Sequence, residues 1–271
     1  MVGDVTDLVL TTADGVRLAA RWWPPPGAHD AGEAVVVVHG FCGRKDGPEV
    51  EMIAARQAAA GRRVLTFDLR GHGGSEGATT LGFRERLDVD AAVAAARADA
   101  DVVVVVGASM GGVASIDHLA GATTDPAAGD GRGRADGAVV VGTPAQWRVP
   151  RSTRGVMAVA LTQTRVGRAL AARRLGTRVA ARPERGASPV ERIARVTRPV
   201  AVVHGLADRF VSAGAARLLF EAASEPRLLD LVPRKGHGFT PAAVEPVATA
   251  VGWIVDELAR DGRAGASGRP V

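Results

Sequence analysis

Tyrosine is absent from this chain, cysteine occurs once, and aromatic residues make up only 4% of its 271 positions. A core without tyrosine and with few rings has to be assembled mainly from Val, Ala and Leu. The single cysteine, Cys42, excludes an internal disulfide and a cysteine-based zinc site, and it fits a reducing compartment. Lysine is almost missing as well: all but Lys45 and Lys235 of the 34 basic residues are arginine, a skew we ascribe to a GC-rich genome. The first residues carry acids where a secretion signal needs basic residues and then a long apolar run. No apolar stretch approaches membrane-spanning length. These absences lead us to expect a soluble, cytoplasmic protein.

What is present is a series of short, β-branched apolar runs. Ala34–Val38, Val102–Val106, Ala138–Val141 and Val200–Val203 do not alternate with polar residues, which marks strands covered on both faces, as in a parallel sheet. Leu65–Phe67 is a shorter run of the same kind, and Leu228–Val232 is read as a further strand. Helical patterns lie between the runs, at Glu49–Ala60, Phe83–Ala98, Met110–Ala120 and Ser212–Ala223. The clearest follows Thr240-Pro241, where Val244, Val247, Val251, Ile254, Val255 and Leu258 form one stripe, with Thr240 placed to cap it. Alternating strands and helices predict a mostly parallel, doubly wound α/β sheet. Leu8–Thr11, the turn Asp14-Gly15 and Val16–Trp23 predict that it opens with antiparallel strands.

Two segments stand apart. Gly121–Gly137 reads as a mobile loop, and the chain from Arg260 onward, with residues 261–271 as a disordered tail, reads as frayed. Residues 146–198 separate two strands by more than a crossover needs and hold thirteen arginines against only Glu184 and Glu191. We read this stretch as a helical insertion between the core segments 1–145 and 199–260, placed over the carboxyl ends of the strands. Its charge suits an anionic substrate or peripheral contact with an anionic membrane, or else is a solvated face, which we favour. It lacks interleaved aromatics apart from Trp147 and any nucleic-acid motif, so no nucleic-acid partner is expected.

The chemistry is concentrated at Gly107-Ala108-Ser109-Met110-Gly111, directly after the pentavaline run and before a helix. A strand that breaks through G-x-S-x-G into a helix forces a serine onto a sharp turn, its hydroxyl above the sheet and the next amide aimed at the same point. A serine needs a base, and the base an orienting acid. Of six histidines, His237 lies in a glycine-flanked loop after a strand, where an imidazole can be presented freely. His39 and His204 precede glycines at strand ends and read as packing or turn residues, His118 as structural and His29 as solvated. Asp208, just past the fourth valine run, is the candidate acid, and the order Ser109, Asp208, His237 is the one such an elbow requires. The oxyanion of the tetrahedral intermediate needs two donors. The backbone N–H groups of Met110 and, from the glycine-rich loop His39-Gly40-Phe41-Cys42-Gly43, of Phe41 are the candidates. Cys42 beside them reads as an inert, partly buried thiol.

With these pieces the chain resembles an α/β-hydrolase fold serine hydrolase. The resemblance runs through His39-Gly40-Phe41, Asp68-Leu69-Arg70-Gly71-His72-Gly73-Gly74-Ser75, the serine motif, His204-Gly205-Leu206-Ala207-Asp208 and Gly236-His237-Gly238. It implies nucleophile, acid and base at Ser109, Asp208 and His237, oxyanion donors at Phe41 and Met110, and a cap in the arginine-rich insertion. It also implies a chiefly structural part for Asp68, His72 and Ser75, and acyl transfer with no cofactor or metal. The layout is similar to the lysophospholipase and monoacylglycerol lipase-like branch. The expected activity is hydrolysis of carboxylic esters or thioesters. The alternatives are an amidase or peptidase built on the same residues and a non-catalytic receptor or scaffold; oligomeric state is left open.

Overall fold

The computed structural model describes residues 4–25, 32–121, 133–147, 162–181 and 186–267. His29, most of the Gly121–Gly137 loop and the first half of the helical pattern in the insertion lie outside the described residues.

Eight strands form one sheet in the order β1-β2-β4-β3-β5-β6-β7-β8. They are β1 (Thr6–Thr11), β2 (Arg17–Trp23), β3 (Glu33–Val38), β4 (Arg63–Phe67), β5 (Val102–Ala108), β6 (Gly137–Val141), β7 (Val200–Gly205) and β8 (Arg227–Val232). The helices are α1 (Pro48–Ala58), α2 (Arg86–Arg97), α3 (Met110–Ala120), α4 (Arg165–Leu175), α5 (Pro189–Ile193), α6 (Ala213–Ala222) and α7 (Val244–Ser267), the last entered through a 3₁₀ turn at Pro241–Ala243. Strand β2 pairs antiparallel with both β1 and β4, and every pair from β4 to β8 is parallel. The expected mostly parallel sheet with antiparallel N-terminal strands is therefore the fold.

The valine runs explain the layering. Successive side chains of a strand point to opposite faces, so Val36, Val38, Val103, Val105, Val140 and Val202 enter one core with α2, α3 and α6. Val35, Val37, Val104, Val106, Val139 and Val141 enter the other with α1 and α7. Neither face can be polar, which is why these runs do not alternate. The stripe on α7 docks as its spacing requires, with Val247, Val251 and Ile254 fully buried.

The elements depart from the sequence pattern in three places. Helix α2 begins after Phe83 because the buried carboxylate of Glu85 accepts from the Thr79 and Thr80 hydroxyls and from the Thr80 and Gly82 amides. Those bonds fold residues 79–85 into a turn before the helix can start. Thr240 takes the expected cap position, but its hydroxyl makes no capping bond; its carbonyl accepts from the Ala243 amide at 2.8 Å instead. Helix α7 runs through Ser267 rather than fraying at Arg260.

Residues 146–198 include α4, α5 and a strap at residues 177–181. The strap is laced to the loop after β4: the Arg178 amide donates to Gly71 at 2.7 Å, the Thr79 amide to Arg178 at 2.8 Å and the Ala180 amide to Thr79 at 2.9 Å. The strap thus sits at the carboxyl end of β4.

Ile254 lies so close over Gly137 that a β-carbon there would stand 2.6 Å from its Cγ2. Ile254→Ala should lower the unfolding free energy by about 2–5 kcal/mol through the cavity it leaves, measured by urea denaturation.

Candidate active site

Ser109 joins β5 to α3 with φ 52° and ψ −112°, a backbone conformation that costs a non-glycine residue on the order of 1–3 kcal/mol. Its surroundings leave no alternative path. A β-carbon on Gly107 would strike the Ser115 hydroxyl and the Gly111 carbonyl, and one on Gly111 would strike the carbonyls of Val38 and His39. The helix thus starts tight against the end of β3, and the Ser109 amide is tied to the Val141 carbonyl at 2.8 Å. Every residue of α3 is buried.

The structure brings Ser109, His237 and Asp208 together. The His237 Nε2 atom lies 2.9 Å from Ser109 Oγ, and His237 Nδ1 lies 2.7 Å from Asp208 Oδ2. The Asp208 side chain is fully buried, whereas the His237 side chain keeps 24% of its surface. Burial alone would raise the Asp208 carboxyl. The hydrogen bond from His237 and those from the Val211 and Phe210 amides, both to Oδ1, outweigh it and hold the group below the ordinary carboxylate range. Asp208 is therefore a permanent anion at neutral pH, fixed to orient the ring. The Phe210 ring lies 5.1 Å from the imidazole and is half exposed at the mouth of the site.

The β3 loop that carries Phe41 comes close to the serine, and Met110 follows the serine in the chain. Gly40 lets the β3 loop approach, since a β-carbon there would stand 3.4 Å from Ser109 Cβ. Among the described residues no backbone carbonyl takes the amide of Phe41 or Met110. Cys42 is half-buried at φ 62°, and burial pushes its thiol up, opposed by a hydrogen bond with the Thr177 side chain. It is a poor thiolate and a poor nucleophile.

The remaining histidines build the frame. His72 Nε2 accepts from the Cys42 amide at 3.2 Å and His39 Nε2 from the Leu69 amide at 3.0 Å, so both shape the loop that carries Phe41. Burial lowers both rings' pKa, which keeps them neutral acceptors. Asp68 accepts from the Lys45 and Gly74 amides, and Ser75 donates to the Asp68 carbonyl. His118 bridges Asp90 and the Ala135 amide away from the site.

Residues 35–250 match the sequence profile of the Alpha/beta hydrolase family. The chain belongs to this family. It is 29% identical over 237 residues to an uncharacterized protein of Mycobacterium tuberculosis, Rv2307c, covering 85% of this chain and 72% of that one. In structure it is similar to the Pyrococcus furiosus esterase Pf2001, with a TM-score of 0.70, 19% identity and 94% and 92% of the two chains covered. It is also similar to the esterase RhEst1 from Rhodococcus sp. ECU1013, with a TM-score of 0.62, 22% identity and 92% and 98% covered. At these identities the structural likeness speaks for the fold.

Two neighbours of the α/β-hydrolase site escaped the sequence reading. Phe210 had no signal. Gly142 had one, as a glycine directly ending the β6 valines, with φ +58°. A β-carbon there would stand 3.1 Å from the Gly238 amide, 3.3 Å from Asp208 Oδ2 and 3.5 Å from His237 Nδ1. Gly142→Ala should cost about 1 kcal/mol or more of stability beyond Gly176→Ala. At Gly176 the φ is +62° and nothing lies within 4 Å, so comparing the two by denaturant unfolding isolates the crowding at the Asp208–His237 junction.

Proposed function

We propose that the protein is a serine hydrolase that cleaves carboxylic esters or thioesters through an acyl-enzyme on Ser109. The observation that carries this reading is the unbroken relay from Asp208 through His237 to the Ser109 hydroxyl, at 2.7 and 2.9 Å. His237 takes the serine proton as Oγ adds to the acyl carbon, and the imidazolium that forms is stabilised by the buried Asp208 anion. The carbonyl oxygen gains charge between the amides of Phe41 and Met110. His237 then returns the proton to the leaving alcohol or thiol as the tetrahedral intermediate collapses. Water, deprotonated by the same imidazole, releases the acid and restores the serine. No cofactor enters any of these steps.

The esterases among the structurally similar proteins support the substrate class, and the cap-like placement of the Thr177–Ala181 strap supports a layout like that of the lysophospholipase and monoacylglycerol lipase-like branch. In this reading residues 146–198 form the cap and bound the acyl pocket.

Ser109→Ala should reduce kcat on a p-nitrophenyl ester by roughly 10⁴-fold or more, because nucleophile and base act as a unit. A series of esters of graded chain length, with one thioester and one amide, measures the class directly: turnover of the esters and the thioester is expected, and turnover of the amide alone would overturn it.

A further inference from the structure

Lys235 stands immediately before the loop that carries His237 and is fully buried. Its ammonium donates to the carbonyl oxygen of Gly236 at 3.1 Å and to that of Gly238 at 2.7 Å. The two acceptors bracket His237, so the side chain closes a clasp across the loop. The backbone of the same residue reaches the other half of the relay, because its carbonyl accepts from the Ala207 amide at 3.0 Å, next to Asp208. Gly205 is required below this junction, since a β-carbon there would collide with the carbonyls of Lys235 and Gly236. Lys45, by contrast, turns its ammonium toward the exposed carboxylate of Asp7, 3.7 Å away.

A buried cation without a contacting carboxylate is expensive, and an apolar chain of the same length would fill the space at less cost. Among the described residues no salt bridge compensates Lys235. The charged and titratable groups around it are Asp208, whose field favours the ammonium, and the imidazoles of His204 and His237. Burial lowers the ammonium from 10.5 to about 8, with Asp208 opposing.

We propose that Lys235 is a positioning residue for the hydrolytic reaction: its ammonium, clasped on the Gly236 and Gly238 carbonyls, holds the His237 ring within hydrogen-bonding distance of both Ser109 and Asp208. This rests on the reading of Ser109, His237 and Asp208 given above. Below a pH of about 8 the clasp is charged and tight. Above it the amine is neutral, its hydrogen bonds weaken, and turnover falls. Stability moves the other way. Between about 8 and 10.5 the unfolded chain holds this proton and the folded chain does not, so the residue's contribution to folding stability rises with pH. Side-chain packing alone would not set activity against stability. With no tyrosine in the chain, the alkaline range is free of that competitor.

The test is kcat and KM for a p-nitrophenyl ester, followed by pH-stat from neutral to alkaline pH, for the wild type, Lys235→Met, Lys235→Arg and Ser109→Ala. Wild-type kcat should fall as pH rises through about 8. Lys235→Met should lower kcat about 10- to 100-fold with KM unchanged and lose that fall. Lys235→Arg, which keeps its charge, should recover part of kcat and also lose the fall. A wild-type profile with no fall near that pH, which needs no variant to fold, overturns the proposal. So does a Lys235→Met protein with wild-type kcat and the wild-type profile. If Ser109→Ala stays active, it is the site reading that fails; if it is silent while Lys235→Met behaves as wild type, the clasp alone fails.

Discussion

The left-handed backbone at Ser109 is the constraint on which this molecule turns. It is held by crowding around it and by the bond from the Ser109 amide to the Val141 carbonyl. The end of β3, the start of α3 and the Ser115 hydroxyl fill every position that a side chain at 107 or 111 would need, and the two valine cores fix those elements. The strain is thus offset by two-sided burial of a parallel sheet. In return a half-buried hydroxyl projects beside the first amide of a fully buried helix.

Around this point the site is assembled from loops at the carboxyl ends of separate strands. The loop after β3 brings Phe41, β5 gives way to Ser109, the loop after β7 brings Asp208 and the loop after β8 brings His237. Neutral, buried imidazoles and a buried carboxylate serve as struts: His39, His72 and Asp68 accept backbone amides from the loops after β3 and β4. Polar groups that a sequence scan could mistake for catalytic ones are thus consumed in shaping the loop that presents Phe41. The 177–181 segment is paired to the same region through Gly71 and Thr79.

Much of this was legible in the sequence because burial on both faces writes itself as unbroken valine, and a strained elbow writes itself as glycine on either side of serine. The antiparallel start was equally readable from Asp14-Gly15 between two runs. What could not be read depends on which partner each group meets once the chain is folded, near or far in sequence. Nothing local announces that Glu85 would delay α2, or that Thr240 would leave its hydroxyl without a capping bond. The crowding around Gly142 exists only once β6, β7 and β8 lie side by side. Lys235 stands in the sequence as one of two lysines, two residues before His237, but its burial beneath that loop is a property of the folded chain.

The proposed chemistry places the reactive nucleophile on one hydroxyl, that of Ser109. Incubating the intact protein with a fluorophosphonate and mapping the adduct by mass spectrometry tests it most directly. A single covalent adduct on Ser109, abolished when the protein is first unfolded, is the predicted result. An adduct on any other residue, or none at all under conditions that label serine esterases, would contradict it.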